Sequence, residues 1–226
     1  MKKLLRFSVL VSVLVTVPAT AEYTAVILHP SGFDGSEAYG ISDGQQVGYG
    51  WGSATGGQWH ALLWSGTAAS YVDLNPSGYT WSYAWNVSGG QQVGEARPIA
   101  TLNAPHAMLW SGTAESYVDL HPPGDYLVWS SARGISGGQQ VGTGCAVMFR
   151  ACLWSGTAES FVDLTPAYAG TSGAGAADVS GGQQVGAYAS GWYVHAALWS
   201  GTPESCVDLN PSGFDESGAS GISGGQ

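Results

Sequence analysis

Histidine and aspartate are the residues of this chain whose chemistry asks first to be explained. There are five histidines. His60, His106 and His195 each stand four residues before a tryptophan (Trp64, Trp110, Trp199), and His29 and His121 each directly precede a proline. Asp73, Asp119, Asp163 and Asp208 follow Trp64, Trp110, Trp154 and Trp199 at a constant offset. Such side chains could serve general acid–base catalysis, zinc ligation or, as a carboxylate pair across one cleft, glycoside hydrolysis. Each of those chemistries needs a unique constellation facing one point. A residue that recurs once per unit at a fixed place supplies none, so register favours structural roles. Arg150 stands where His stands in the other units, so this column is expected to donate to backbone or to an acidic neighbour. The aspartates are expected to accept from turn amides or a neighbouring unit.

Other chemistry is weaker still. Asp34, Glu37 and Asp43, or Asp215 and Glu216, are acidic enough to suggest calcium but lack the ligand spacing of a calcium loop, so they read as solvated loop charge. Cys152 and Cys206 replace core-type residues of other units. Cys145 and Cys152 lie on consecutive predicted strands, where a bridge would meet an unfavourable register. No nucleophile elbow, phosphate loop or dinucleotide fingerprint is present. The sequence therefore assigns no catalytic residue, no metal and no cofactor.

The elements that carry these residues are repeats. Trp64 to Pro76 returns as Trp110 to Pro122, Trp154 to Pro166 and Trp199 to Pro211. Ile41 to Gly48 returns as Val87 to Gly94, Ile135 to Gly142 and Val179 to Gly186. The tryptophans are 46, 44 and 45 residues apart, the length of a four-stranded propeller blade. The first unit divides into strands a (38–42), b (45–49), c (60–64) and d (70–74), too short for helices. Gly-containing turns join a to b and c to d, and Pro76 stops d. Strand a, with Ala38, Gly40 and Ser42 on one side, is the poorest in large groups and suits the crowded innermost place. The fold class predicted is all-β, a β-propeller-like array of four-stranded antiparallel blades. Four complete units (about 36–76, 82–122, 130–166 and 174–211) are flanked by partial strands at 23–30 and 218–226, so the array is expected to be incomplete or open, with edges that invite self-association. The chain stops within a motif at Gln226, which reads as a fragment of a longer frame.

The hairpin of Gly40 to Gly48, the His-Ala-x-Leu-Trp strand of His60 to Trp64 and the closing Asp73-Leu74 together resemble the HAF-type extracellular repeats of bacterial secreted proteins, over nearly the whole chain after residue 21. The phenylalanine of that repeat is absent: Leu62, Met108, Cys152 and Ala197 occupy its place. The resemblance implies a secreted β-propeller-like array and little about activity.

The first 21 residues fit that address. Lys2, Lys3 and Arg6 precede the apolar run 7–17, and Ala19-Thr20-Ala21 matches a cleavage site, so 1–21 is expected to be a signal peptide and 22–226 a single repeat domain. Of six basic residues three leave with it, whereas all 16 acidic ones remain, giving a formal charge of −13. Such a surface repels nucleic acid and anionic membranes, and no later segment is apolar enough to span one.

The b–c and d–a connections are the segments that vary between units, and in a propeller they share one face. They carry Trp51, Trp59, Tyr79, Trp81, Tyr126, Trp129, Trp192 and Tyr193. Rings there suit stacking on sugars or contact with a cell-surface protein, or else they fill gaps between blades and in the hub. The expectation is a secreted, non-catalytic binding or interaction module for carbohydrate or a surface ligand. A structural surface or matrix protein and a propeller polysaccharide hydrolase or lyase are the alternatives.

Overall fold

The computed structural model describes residues 24–100, 104–124 and 126–224; the predicted signal peptide lies outside them. Among the described residues sixteen strands form four antiparallel sheets, each with its strands in sequence order. Blade 1 is β1 (Gly35–Ser42), β2 (Gln45–Trp51), β3 (His60–Trp64) and β4 (Val72–Asp73). Blade 2 is β5 (Tyr79–Ser88), β6 (Gln91–Pro98), β7 (His106–Trp110) and β8 (Val118–Asp119). Blade 3 is β9 (Trp129–Ser136), β10 (Gln139–Cys145), β11 (Phe149–Trp154) and β12 (Val162–Asp163). Blade 4 is β13 (Ala174–Ser180), β14 (Gln183–Ser190), β15 (Tyr193–Trp199) and β16 (Val207–Asp208). The four sheets match the predicted units, with strands a and b extending further than expected and d shorter. Ala68–Ser70 and its counterparts are a single 3-10 turn instead of strand. The Ser70 hydroxyl accepts the N–H groups of Ser65 and Thr67 and donates to the Thr67 carbonyl, drawing the chain out of the extended form before two residues of pairing remain.

The a–b turns are two residues long with both backbones left-handed: Asp43 and Gly44 in blade 1, Gly-Gly in the others. That is the hairpin turn whose twist matches the strands. A further glycine requirement lies in the Val-Gly step of strand b. A Cβ on Gly48 would stand 1.8 Å from the Glu37 carbonyl oxygen, and Gly94, Gly142 and Gly186 meet the same obstacle. The cause is a β-bulge opposite each of them, at Tyr39, Trp85, Arg133 and Ala177.

Alternation along strand c divides its side chains between two junctions. Leu63 points with Val47 and Leu74 toward blade 2, where Ala84, Val87, Met108 and Trp110 meet them. Val93, Leu109 and Leu120 pack likewise on Ala132, Ile135, Cys152 and Trp154. Val141, Leu153 and Leu164 pack on Ala176, Val179, Ala197 and Trp199. The repeat tryptophans are fully buried; at roughly 150–250 Å² each and about 25 cal/mol per Å², each contributes on the order of 4–6 kcal/mol as an upper bound. In blade 1 the backward-facing Leu62 and Trp64 are covered by Phe33 and Leu28.

Among the described residues no core cluster joins blade 4 to blade 1. The terminal segments correct the expectation of partial strands. Residues 24–30 and 218–224 join no ladder. The second of these still occupies a strand-a place: Ala219 donates to the Gly186 carbonyl, and the hydroxyl of the preceding Ser217 accepts the Ala196 N–H.

Candidate functional site

The repeated histidines and aspartates find their partners inside the scaffold. His60, His106 and His195 meet Asp73, Asp119 and Asp208 through Nδ1 at 2.7, 2.7 and 2.9 Å, and Arg150 meets Asp163 at 3.2 Å. The other oxygen of each aspartate accepts the backbone N–H two residues on, in Asn75, His121, Thr165 and Asn210. Tyr79, Tyr126 and Tyr188 add their hydroxyls to Asp119, Asp163 and Asp208. His195 and the Asn210 N–H hold the Asp208 carboxyl below the usual carboxylate range. This is the donor-to-acidic-neighbour role that Arg150 pointed to.

The glutamines act in the same way. Gln46, Gln92, Gln140 and Gln184 each accept the N–H of the c–d turn glycine and donate to a carbonyl of the a–b turn, tying the two hairpins together. All three cysteines are free. Cys145 pairs opposite Phe149 and Cys152 opposite Gly142, which sets the two thiols apart along the ladder. Among the described residues no three His, Cys, Asp or Glu side chains gather as a metal site.

What differs from unit to unit lies on the inner strands. The bulged position reads Tyr39, Trp85, Arg133, Ala177 around the array, and a bulge re-aims its side chain. The Tyr39 ring lies 5.1 Å from Trp85, and the Arg133 guanidinium 4.2 Å over Trp85. The residue after each Val-Gly reads Tyr49, Glu95, Thr143, Ala187, and the first three face strand a of the next blade. Tyr49 meets Tyr83 edge-on at 4.7 Å. Glu95 adjoins Ser131 and Arg133; burial pushes its carboxyl up, while the Ser131 hydroxyl and the Arg133 charge act the other way. Thr143 lies against Gly175, where a Cβ would come within 2.7 Å of its hydroxyl oxygen.

The eight loop aromatics do not form one surface. Trp51, Trp59 and Trp81 are joined through two rings absent from the sequence-based set, Tyr49 and Tyr83, and the cluster extends to Trp85 and Tyr39. Burial and the charges of Tyr49 and Glu95 push the Tyr83 hydroxyl up to about 12. Trp51 also covers Gly35 of its own blade. Tyr79 and Tyr126 each lie edge-on against the ring that directly precedes strand d, Tyr117 or Phe161, as Phe33 does on Tyr71. Trp129 sits 6.0 Å from Phe149. Trp192 and Tyr193 lie at the β14–β15 turn, with Trp192 98 % exposed. Strand a of blade 2, with Trp81, Tyr83 and Trp85, also corrects the view of that strand as poor in large groups; the small residues of blade 1 do not represent the others.

With this geometry in hand, the comparisons with known proteins bear on the fold. No family model matches the chain, and no curated protein matches it. Among solved structures it is similar to TolB from Acinetobacter baumannii. The TM-score is 0.52 at 10 % identity over 82 % of this chain, which spans 45 % of that one. Four packed four-stranded sheets, propeller-like as in TolB, are what the likeness shows.

The residues missed in the sequence carried a signal. Tyr49, Glu95, Thr143 and Ala187 follow an invariant Val-Gly directly, and a position that varies inside an otherwise fixed motif is a place the scaffold leaves free.

Proposed function

We propose that the protein is a secreted, non-catalytic binding module of HAF-type extracellular repeats, and that it holds a carbohydrate of a cell surface at the rim of blades 1 and 2. The observation that carries this reading is the division of labour between residues. The fixed polar columns have internal partners, whereas the variable rings cluster, with Tyr39 and Trp59 about half exposed. Beside them stand Glu37, which accepts the Tyr39 hydroxyl, and Arg97, which lies 5.8 Å over Trp81. Flat rings flanked by hydrogen-bonding groups suit the apolar face of a sugar. A glycan array and a pull-down against surface fractions test it. Wild type is expected to retain ligands that Trp59→Ala and Tyr39→Ala lose; no signal above a loop-scrambled control in both assays would sink it.

One observation favours a second reading, a propeller hydrolase or lyase: the half-buried Glu95, with its raised carboxyl beside Arg133. Turnover of a polysaccharide panel that Glu95→Gln abolishes would establish it.

A further inference from the structure

Blade 2 shows what blade 4 lacks. Trp81, Tyr83 and Trp85 follow one another on alternate residues of β5, with ring centroids 5.1 and 5.3 Å apart. Counting back from the a–b turn, the same places in and just before β13 are Gly173, Gly175 and Ala177. Both strands bulge at the third of these positions, and they part at the first, where Gly173 is left-handed and bridges Phe149. The preceding blade follows suit, with Tyr49 against the ring set and Thr143 in its place between blades 3 and 4. Three rings and most of a fourth are thus absent from a junction built to the same plan.

The space is open. Two hollows of about 350 and 420 Å³ share Thr143, Gly175 and Ala187, each within the size range of small-molecule sites. One runs toward Phe149 and Val194, and the other reaches Arg133. Arg133 is one of three arginines after residue 21, where no lysine occurs. Of the others, Arg150 is paired with Asp163, and Arg97 donates to the Thr80 hydroxyl. Arg133 is exposed and stacked on Trp85, between Glu95 on one side and the hollow on the other.

We propose that the junction of blades 3 and 4 binds a small planar aromatic carboxylate, its ring over Gly175 between Thr143 and Ala187 and its carboxylate on the Arg133 guanidinium. The ring replaces the side chains that blade 2 supplies for itself, and Arg133 meets the carboxylate as it meets Trp85, through a flat, weakly hydrated cation. This goes beyond the glycan reading in both place and ligand.

Isothermal titration of the mature chain with 2-naphthoate tests it, with 2-naphthol and cyclohexanecarboxylate as comparators that keep only the ring system or only the charge. Wild type is expected to bind 2-naphthoate more tightly than either. Arg133→Gln is expected to weaken 2-naphthoate about tenfold, the loss of a charged hydrogen bond, and to leave 2-naphthol unchanged. Ala177→Trp, which restores the ring of Trp85, and Ala187→Tyr, which sets a ring opposite Gly175 from strand b of blade 4, are each expected to abolish binding. These alanines are chosen because a Cβ on Gly173 would collide with the Phe149 carbonyl oxygen at 1.9 Å. Circular dichroism and thermal unfolding identify a variant that has failed to fold, and the other filled variant then decides. Absence of 2-naphthoate binding by wild type, or binding that persists in a folded filled variant, overturns the proposal.

Discussion

The Thr165 hydroxyl accepts the backbone N–H of Ala151 at 3.0 Å. In the other blades that acceptor comes from the following unit: Ser82 for Ala61, Ser130 for Ala107 and Ser217 for Ala196, each at 2.9 Å. The following unit of blade 3 carries Ala174 in the serine's place, and the acceptor has crossed the junction. Thr165→Val keeps the shape and orphans a buried N–H, so it is expected to cost about 1–3 kcal/mol in urea unfolding. Adding Ala174→Ser is expected to recover most of that loss. A double variant no more stable than the single one would show that the two positions do not exchange this role.

Asp163 holds three donors at once: the Arg150 guanidinium, the Tyr126 hydroxyl and the Thr165 N–H. Arg150→His recreates the pair found in the other blades and is expected to change stability by less than about 0.5 kcal/mol. Asp163→Ala releases all three donors and is expected to cost about 1–3 kcal/mol, in equilibrium unfolding at neutral pH. Equal effects of the two substitutions would deny the column its interchangeable donor.

Glu95 gives the pH dependence. Its folded carboxyl lies above the ordinary 4.5 because burial outweighs Ser131 and Arg133. A group raised on folding stabilises the native state fully below its unfolded value, and that contribution fades as pH rises through the folded value. Glu95→Gln is therefore expected to raise the unfolding midpoint at pH 7 to 8, with the gain shrinking to nothing as pH falls below the mid-4 range. A gain that instead grew on acidification would reverse the sign and point to Arg133 as the dominant influence.

The blades were legible in the sequence because strand-scale alternation and a fixed period both mark what every unit must do. His60 and Gln46 recur because each blade needs the same internal ties, and Trp64 because each blade buries a ring there. The shortening of strand d was hidden, since Ser70 closes a local turn through its hydroxyl where the pattern alone shows an alternating run. The site was legible only in part. Loop rings such as Trp59 stand out by position, but Trp85 and Arg133 sit inside strands. Only the bulge, a feature of register, brings Trp85 against both Tyr39 and Arg133. Tyr79 and Tyr126 stood out for the same reason as Trp59, and their phenols close onto the aspartate column at Asp119 and Asp163.

Leu209 measures the open flank. Its counterparts Leu74, Leu120 and Leu164 are wholly buried by the next blade, whereas Leu209 is 43 % exposed and Val207 beside it 50 %. The outermost strands β4, β8, β12 and β16 are only two residues long, poor templates for edge pairing. Any self-association is therefore expected to run through this apolar flank. Leu164→Glu buries an unpaired carboxylate in the third junction and is expected to abolish folding. Leu209→Glu is expected to leave the unfolding midpoint nearly unchanged and to lower the apparent mass in concentration-dependent light scattering. If Leu209→Glu unfolds the protein as Leu164→Glu does, that flank is covered in solution. If the mass is the same with and without the charge, the flank plays no part in association.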